Sequence, residues 1–396
     1  MGSVSISLAN GGLGGTPQTA DGVAGLVMTG GVDTGGYVLG TPKLVTGLAS
    51  VAAAGITEDG NAFAVRQLKD FYAVAGDGAQ LYVMLVANTM SIADIADNTN
   101  AGGAKKLLSY ADGKIKLLGI MTDDSAIDEP EQEGGLNADI PTAITNMTVL
   151  ANAYFALHKP FRALIGGTSY SGVAGDLADQ SAGTSANRVG VLIGDTVGAE
   201  EGGIGGAACL GLALGMAASL PVQRKISRVQ NGRLPIDTAY VGELAVGATG
   251  SDTDVIAGKG YVTFKRYPNV SGFFFSNDTM CTAATDDYRF LARGRIIDKA
   301  HILAYTTFVQ EIDDEVLINT DGTLNSGYCK HLSQQMVNVI NNTMTVNGEI
   351  SSVSCYIDPS QNILSNNTLA VSLSIVPVGY SSDINISLGF INPALT

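Results

Sequence analysis

Five short, largely apolar runs, at residues 23–28, 81–86, 115–121, 161–165 and 189–193, constrain this chain more than any other feature. None alternates with polar residues, which marks strands covered on both faces. Helical spacing fills most of the intervals. Residues 59–76 open on Asp59-Gly60-Asn61, carry Phe63, Leu68, Phe71 and Tyr72, and close on Gly76; residues 104–110 give a shorter helix. Asp139 is placed to cap a third, with Pro141 in the first turn, where a missing N–H costs nothing. Ile144, Met147, Leu150, Ala151 and Tyr154 form its buried stripe, and Pro160 stops it after His158 and Lys159. Strands alternating with helices at this spacing predict an α/β layer with a largely parallel sheet.

The C-terminal region follows a different rule. Ile350, Val353, Cys355 and Ile357 mark one alternating run, and Leu369, Val371, Leu373 and Ile375 a second that Pro377 should end. The turn residues 358–362 lie between them, so the two should pair. A third run, Ile384, Ile386, Leu388 and Phe390, and a fourth, Val4, Ile6 and Leu8, are set apart by residues 379–383 and the glycine-rich residues 10–15. A lone amphipathic strand on a loose tether is unstable, because its backbone groups need partners. Either these arms fold back onto their own sheet, or they complete the sheet of a neighbouring subunit.

Composition bears on that choice. Apolar residues make up 45% of the 396 and charged residues only 15%, with 50 glycines and no tryptophan. So few charges on so large a chain suggest that much of the surface is covered by other protein. A net charge of −15 argues against direct binding of nucleic acid or an anionic membrane. The longest apolar run, residues 207–220, is too short and glycine-rich to span a bilayer. The N-terminus lacks the features of a secretory signal, so a soluble chain made in the cytoplasm is expected. Four cysteines, Cys209, Cys281, Cys329 and Cys355, show no metal or redox spacing and read as small buried hydrophobes.

Three features invite chemistry. Gly202-Gly203-Ile204-Gly205-Gly206-Ala207-Ala208 follows a strand and opens a helix, as a dinucleotide loop would. It lies too far from the strand for the tight turn, and Lys225 and Arg228 stand about twenty positions on, where an acid is required. Close helix packing is the other reading. The acidic residues 123–133 lack the alternate-residue ligand spacing of a calcium loop and suit a solvated surface. A long helix over residues 286–310 places Ile297, Ala300, His301, Ala304 and Phe308 on an apolar stripe. Arg289, Arg293, Arg295 and Lys299 lie elsewhere on it, either as a solvated face or as a docking face for an acidic partner. No catalytic constellation involves His158, His301 or His331, and no cofactor or metal is implied.

Several stretches, in order, resemble the tail sheath protein of contractile phage tails and related contractile injection systems. Residues 71–83, from Phe71-Tyr72-Ala73 through Gly76-Asp77-Gly78 to Leu81-Tyr82-Val83, look like that family's helix, glycine turn and strand. Residues 213–222, ending Leu220-Pro221-Val222, are similar to its small-residue helix. Residues 293–300, Arg293-Gly294-Arg295 to Ala300, resemble its inner-domain helix, and Asn392-Pro393-Ala394 its close. The resemblance spans nearly the whole chain. It implies a multi-domain α+β sheath-like fold with an N-terminal arm and linker (1–20), an outer α/β domain (21–258), an inner tube-facing domain (259–379) and a C-terminal arm (380–396).

It further implies a homo-oligomeric helical sheath around an inner tail tube protein, with baseplate and tail terminator partners, in a virion tail or injection particle. No enzymatic activity is implied. Subunits would pass from an extended lattice to a shorter one with more buried interface, and a few hundred extra Å² per subunit would release roughly 5 to 10 kcal/mol. The arms at Val4, Ile6, Leu8, Ile384, Ile386, Leu388 and Phe390 would be received by strands carrying Cys355, Ile357, Leu369, Val371, Leu373 and Ile375. The residues facing the tube would be Arg289, Arg293, Arg295 and Lys299. A nucleotide-binding α/β enzyme and another shell-forming virion protein are the alternatives.

Overall fold

A computed structural model describes residues 20–30, 36–124, 131–182, 185–198, 208–316 and 318–390. The five apolar runs become strands β1 (Ala24–Gly30), β3 (Leu81–Ala87), β4 (Leu117–Met121), β5 (Arg162–Gly166) and β6 (Val189–Leu192), with a short β2 (Lys43–Val45) at one edge. The spatial order is β2-β3-β1-β4-β5-β6, and only β2 runs antiparallel. All of β1, β4 and β5 is buried, as uninterrupted apolar runs require.

The reversal of strand order at β1 places crossover helices on both faces. Helix α1 (Glu58–Ala75) leads from β1 to β3, whereas α2 (Ala104–Ala111) and α3 (Ile140–Ala156) lead the other way across the sheet. Helix α4 (Leu210–Ser219) packs against α1 and against β4, β1 and β5. Regular geometry in α1 begins only after Asp59, Gly60 and Asn61, whose dihedrals are not helical. Asp139 occupies the cap position of α3 but makes no side-chain cap bond; the Asn137 side-chain oxygen instead accepts the Asp139 N–H at 2.9 Å.

Helix α4 is apolar all round and almost wholly buried, so it needs neighbours on every side. Gly211 allows the closest of these approaches: a Cβ there would lie 1.9 Å from the Gln67 carbonyl oxygen of α1. Gln67, fully buried, secures the same junction with its side chain. Its Nε2 donates to the Ala208 carbonyl at 2.9 Å and its Oε1 accepts the Gly211 N–H at 2.8 Å, satisfying one of the orphan donors of the helix start.

The long helix is α5 (Leu291–Phe308), beginning later than residue 286. Its buried residues are Leu291, Ala292, Gly294, Arg295, Ile296, Asp298, Ala300 and Thr307, so the inward face is rotated away from the expected Ile297–His301–Phe308 stripe. The cause is electrostatic. Arg162, 2% exposed, enters the body from β5 and pairs with Asp298 through Nε at 2.7 Å and Nη2 at 3.0 Å. Arg188 reaches the same carboxylate at 3.1 Å. Arg162 Nη2 also donates to the Gly294 carbonyl at 3.1 Å, and a Cβ at Gly294 would meet the guanidinium at 2.5 Å. A buried charge has to be paired, and this requirement turns the helix.

The chain divides into two compact units, residues 1–312 and 313–396. The boundaries expected from the sequence lie at 20/21, 258/259 and 379/380. Helix α5 joins the first unit because its buried aspartate is bound to β5. The second unit contains α6 (Ser326–Ile340), β7 (Ile350–Tyr356) and β8 (Ser372–Pro377).

Candidate assembly surface

The second unit is built around one helix and one hairpin. Asn325 caps α6 with a side chain that accepts the N–H groups of Gly327 and Tyr328, at 2.9 and 3.2 Å. Cys329, Leu332, Met336 and Ile340 give α6 one buried stripe, and β7 packs on this helix. β7 and β8 pair antiparallel, with Val353 opposite Ile375 and Cys355 opposite Leu373, as the alternation predicts. These four side chains are half-buried, while Ser352, Ser354, Tyr356, Ser372, Ser374 and Val376 are exposed.

The connection is pinned at both ends. Leu324 N–H donates to the Pro359 carbonyl at 2.8 Å. Gln361 accepts the Ala370 N–H at 2.7 Å and donates to the Asp358 and Ala370 carbonyls. Leu369 and Val371 fall in this connection, ahead of β8, because the Gln361 clasp diverts the backbone until Ser372. Ile357 lies just past β7 and is buried at 3% exposure, so it serves the unit's own core.

Among the described residues, β7 and β8 pair only with each other, which leaves one outer ladder edge on each strand. Unprotected edges are templates for another strand. Residues 381–390 of the same unit form no ladder, and Ile384, Ile386, Leu388 and Phe390 are 76%, 77%, 93% and 110% exposed. Four apolar side chains at strand spacing with none covered form a face without a partner among the described residues. Val4, Ile6 and Leu8 lie outside the described residues.

The basic residues in and just before α5 are distributed differently from the expected outward cluster. Arg295 is 4% exposed and donates through Nη2 to the Asp21 and Leu220 carbonyls at 3.2 and 3.1 Å. Lys299 pairs with the Asp21 carboxylate at 2.8 Å. Both therefore hold Asp21, Arg295 at its carbonyl and Lys299 at its carboxylate, and Arg295 is removed from any outer face. Arg289 and Arg293 stay half-exposed, with guanidinium carbons 4.8 and 5.5 Å from the Phe290 ring centroid, and Lys225 lies 3.6 Å from the same ring. Asp21 as a partner of this group, and Arg162 and Arg188 as partners of Asp298, are not expected from the sequence. The available signals were a charge inside an apolar run at Arg162 and a glycine in mid-helix at Gly294.

The other chemical candidates have structural roles where they are described. Asp124 accepts from Thr122 Oγ1 at 2.8 Å, Asn137 Nδ2 at 3.0 Å and Ser169 Oγ at 2.6 Å, which uses its carboxylate within the fold. Residues 125–130 and most of the glycine run, 202–207, lie outside the described residues. Ala208 pairs with Gly194, and Cys209 is buried with its thiol pKa pushed well up by desolvation. Cys281 and Cys329 are also buried and Cys355 is half-buried. Among the described residues no helix is long and apolar enough to cross a membrane.

The family model described as the DUF2586 N-terminal domain matches residues 1–279, and that of the DUF2586 C-terminal domain matches residues 287–395. No curated protein matches the sequence. Among solved structures, the helical sheath of the anti-feeding prophage in its contracted state is similar over 98% of each chain, at 13% identity and a TM-score of 0.61. A chain of the anti-feeding prophage baseplate is similar over 99% of this chain and 100% of that one, at 12% identity and a TM-score of 0.60. The contracted PVC sheath complex of an extracellular contractile injection system is similar over 98% of this chain and 97% of that one, at 12% identity and 0.58. The shared fold is thus the mixed α/β, sheath-like one.

Proposed function

The chain belongs to the DUF2586 family, and from the fold it shares with contractile sheath subunits we propose that it is the structural subunit of a contractile sheath. One observation carries the reading. A strand-like segment with every apolar side chain exposed belongs to the same unit as a two-stranded sheet whose outer edges are both unpaired among the described residues. In one chain these features are a liability. In a helical lattice they are donor and acceptor, with the C-terminal segment adding to a neighbour's hairpin. The N-terminal arm takes the second edge.

Each body would then be held in a mesh around an inner tube, with a baseplate below and a terminator above, in a phage tail or an injection particle. Contraction moves the bodies while the strand links stay closed, and the energy comes from burying more interface rather than from nucleotide hydrolysis. No observation favours the nucleotide-enzyme alternative. Arg289 and Arg293, the half-exposed members of the basic group, are the residues assigned to the tube.

Negative-stain electron microscopy of the purified chain, with and without its tube partner, tests this directly. Hollow, cog-like tubes are expected, and deletion of residues 1–15 should leave a folded chain that forms none. Compact monodisperse particles under both conditions would overturn the proposal. Unchanged tube binding after charge reversal at Arg293 would remove only the tube assignment.

A further inference from the structure

His158 and His301 are two of only three histidines in the chain, and they touch. They come from different elements. His158 follows the last turn of α3 with a left-handed backbone, φ 58°, whereas His301 lies in the middle of α5. His158 Nδ1 is 3.0 Å from His301 Nε2. The rings stack with centroids 5.2 Å apart. Beyond them His158 stacks on Tyr305 at 3.8 Å and His301 lies against Phe155 at 4.2 Å. The Arg188 guanidinium stands 4.1 Å from the Phe155 centroid on the inner side.

An imidazole pair can share this hydrogen bond only if one nitrogen carries a proton and the other offers a lone pair. If both rings are protonated, both nitrogens bear hydrogen and two like charges face each other. His158 is exposed, so water screens it, whereas the charged side chains around His301 are already committed. From the turn after α3, Lys159 is committed to Asp112 at 2.5 Å. Arg188, beside β6, adds positive charge. From α5 come Tyr305 and Asp298, and the aspartate is already divided between Arg162 and Arg188. The group is therefore net positive before either histidine titrates. Burial, and then the neighbouring His158, hold the His301 pKa below the ordinary histidine value.

We propose that the His158–His301 pair is an acid-labile latch between the C-terminal end of α3 and α5. It is closed while at least one ring is neutral and opens when both are charged. Opening frees the later turns of α5, the stretch that leads out of the first unit. The latch rests on side-chain geometry alone and does not depend on the assembly reading.

The test is an NMR titration of the full chain from pH 8 to 5, following histidine Cε1–H signals together with amide-exchange protection factors across residues 301–308. His158 and His301 should titrate as a coupled pair in two steps about one pH unit or more apart, with His331 as the reference from the other unit. Protection should fall about tenfold across the second step. His158→Asn keeps a residue that tolerates the left-handed backbone, and His301→Gln keeps polarity; each should abolish the acid-dependent loss. Two independent single-step titrations would overturn the latch. So would an unchanged loss of protection in His158→Asn.

Discussion

Leu388→Ala separates a working link from a loose end. Leu388 is 93% exposed in the isolated chain, so truncation leaves the core intact and Tm should stay within about 1 °C. In a lattice where the segment adds to a neighbour's hairpin, Leu388 becomes a buried side chain. Leu→Ala at a buried site costs about 2 to 3 kcal/mol, toward the lower end where surroundings can adjust. At 1.4 kcal/mol per factor of ten, the critical concentration for tube formation should rise roughly 30- to 150-fold. Light scattering with sedimentation of the polymer measures it. Ser387→Ala, on the opposite strand face, is the control and should shift it by less than about threefold. An unchanged critical concentration in Leu388→Ala would refute the strand-addition argument, whatever the tubes look like.

Three further substitutions probe the body. Asp298→Ala removes the shared counter-charge of Arg162 and Arg188 and should cost about 3 to 5 kcal/mol in urea unfolding; a loss under 1 kcal/mol would mean that water replaces the carboxylate. Gly211→Ala forces a Cβ onto the Gln67 carbonyl, and separating α1 from α4 should cost at least about 2 kcal/mol and lower Tm correspondingly. Asp70 has its pKa raised to about 6, first by burial against the pull of Arg66 and then by Asp195. Because that value exceeds the unfolded one, the native state binds the extra proton, and stability falls as pH rises from about 4 to 6. Asp70→Asn should therefore stabilise by about 3 kcal/mol at pH 7.5 and have little effect near pH 3.5, which urea unfolding at both values checks.

The parallel sheet was legible because fully buried strands leave a signature that no neighbour can mask: uninterrupted apolar runs with helices between them. The β7–β8 pairing was legible too, because two alternating runs flank a set of turn residues. The orientation of α5 was not. Hydrophobic periodicity treats arginine and aspartate as outward residues, whereas Arg162, Arg188 and Asp298 neutralise one another inside. The same blind spot scattered the basic cluster, since nothing in the spacing of Arg295 and Lys299 reveals an attachment to Asp21, far away in the chain. Leu369 and Val371 continued the strand pattern by composition, but the side chain of Gln361 determines where the ladder starts.

The energetics of the arm favour a mesh over a pairwise bond. Burying Ile384, Ile386, Leu388 and Phe390 gains roughly 1.5 to 3 kcal/mol each. Ordering the seven residues from 384 to 390 costs about 1 to 2 kcal/mol apiece. These terms nearly cancel, and the ladder hydrogen bonds, at about 1 kcal/mol each, supply the margin. One arm on one neighbour would hold weakly. A subunit linked through both termini gains from effective concentration, because losing one link leaves the other to hold the ends together. The clamp of Arg295 and Lys299 on Asp21 complements this arrangement. On the proposed function it would anchor the residue that follows the N-terminal arm, so that rotation of the body would be carried to the link. Arg295 and Lys299 then serve the link at Asp21, while Arg289 and Arg293 keep the exposure that a tube contact needs.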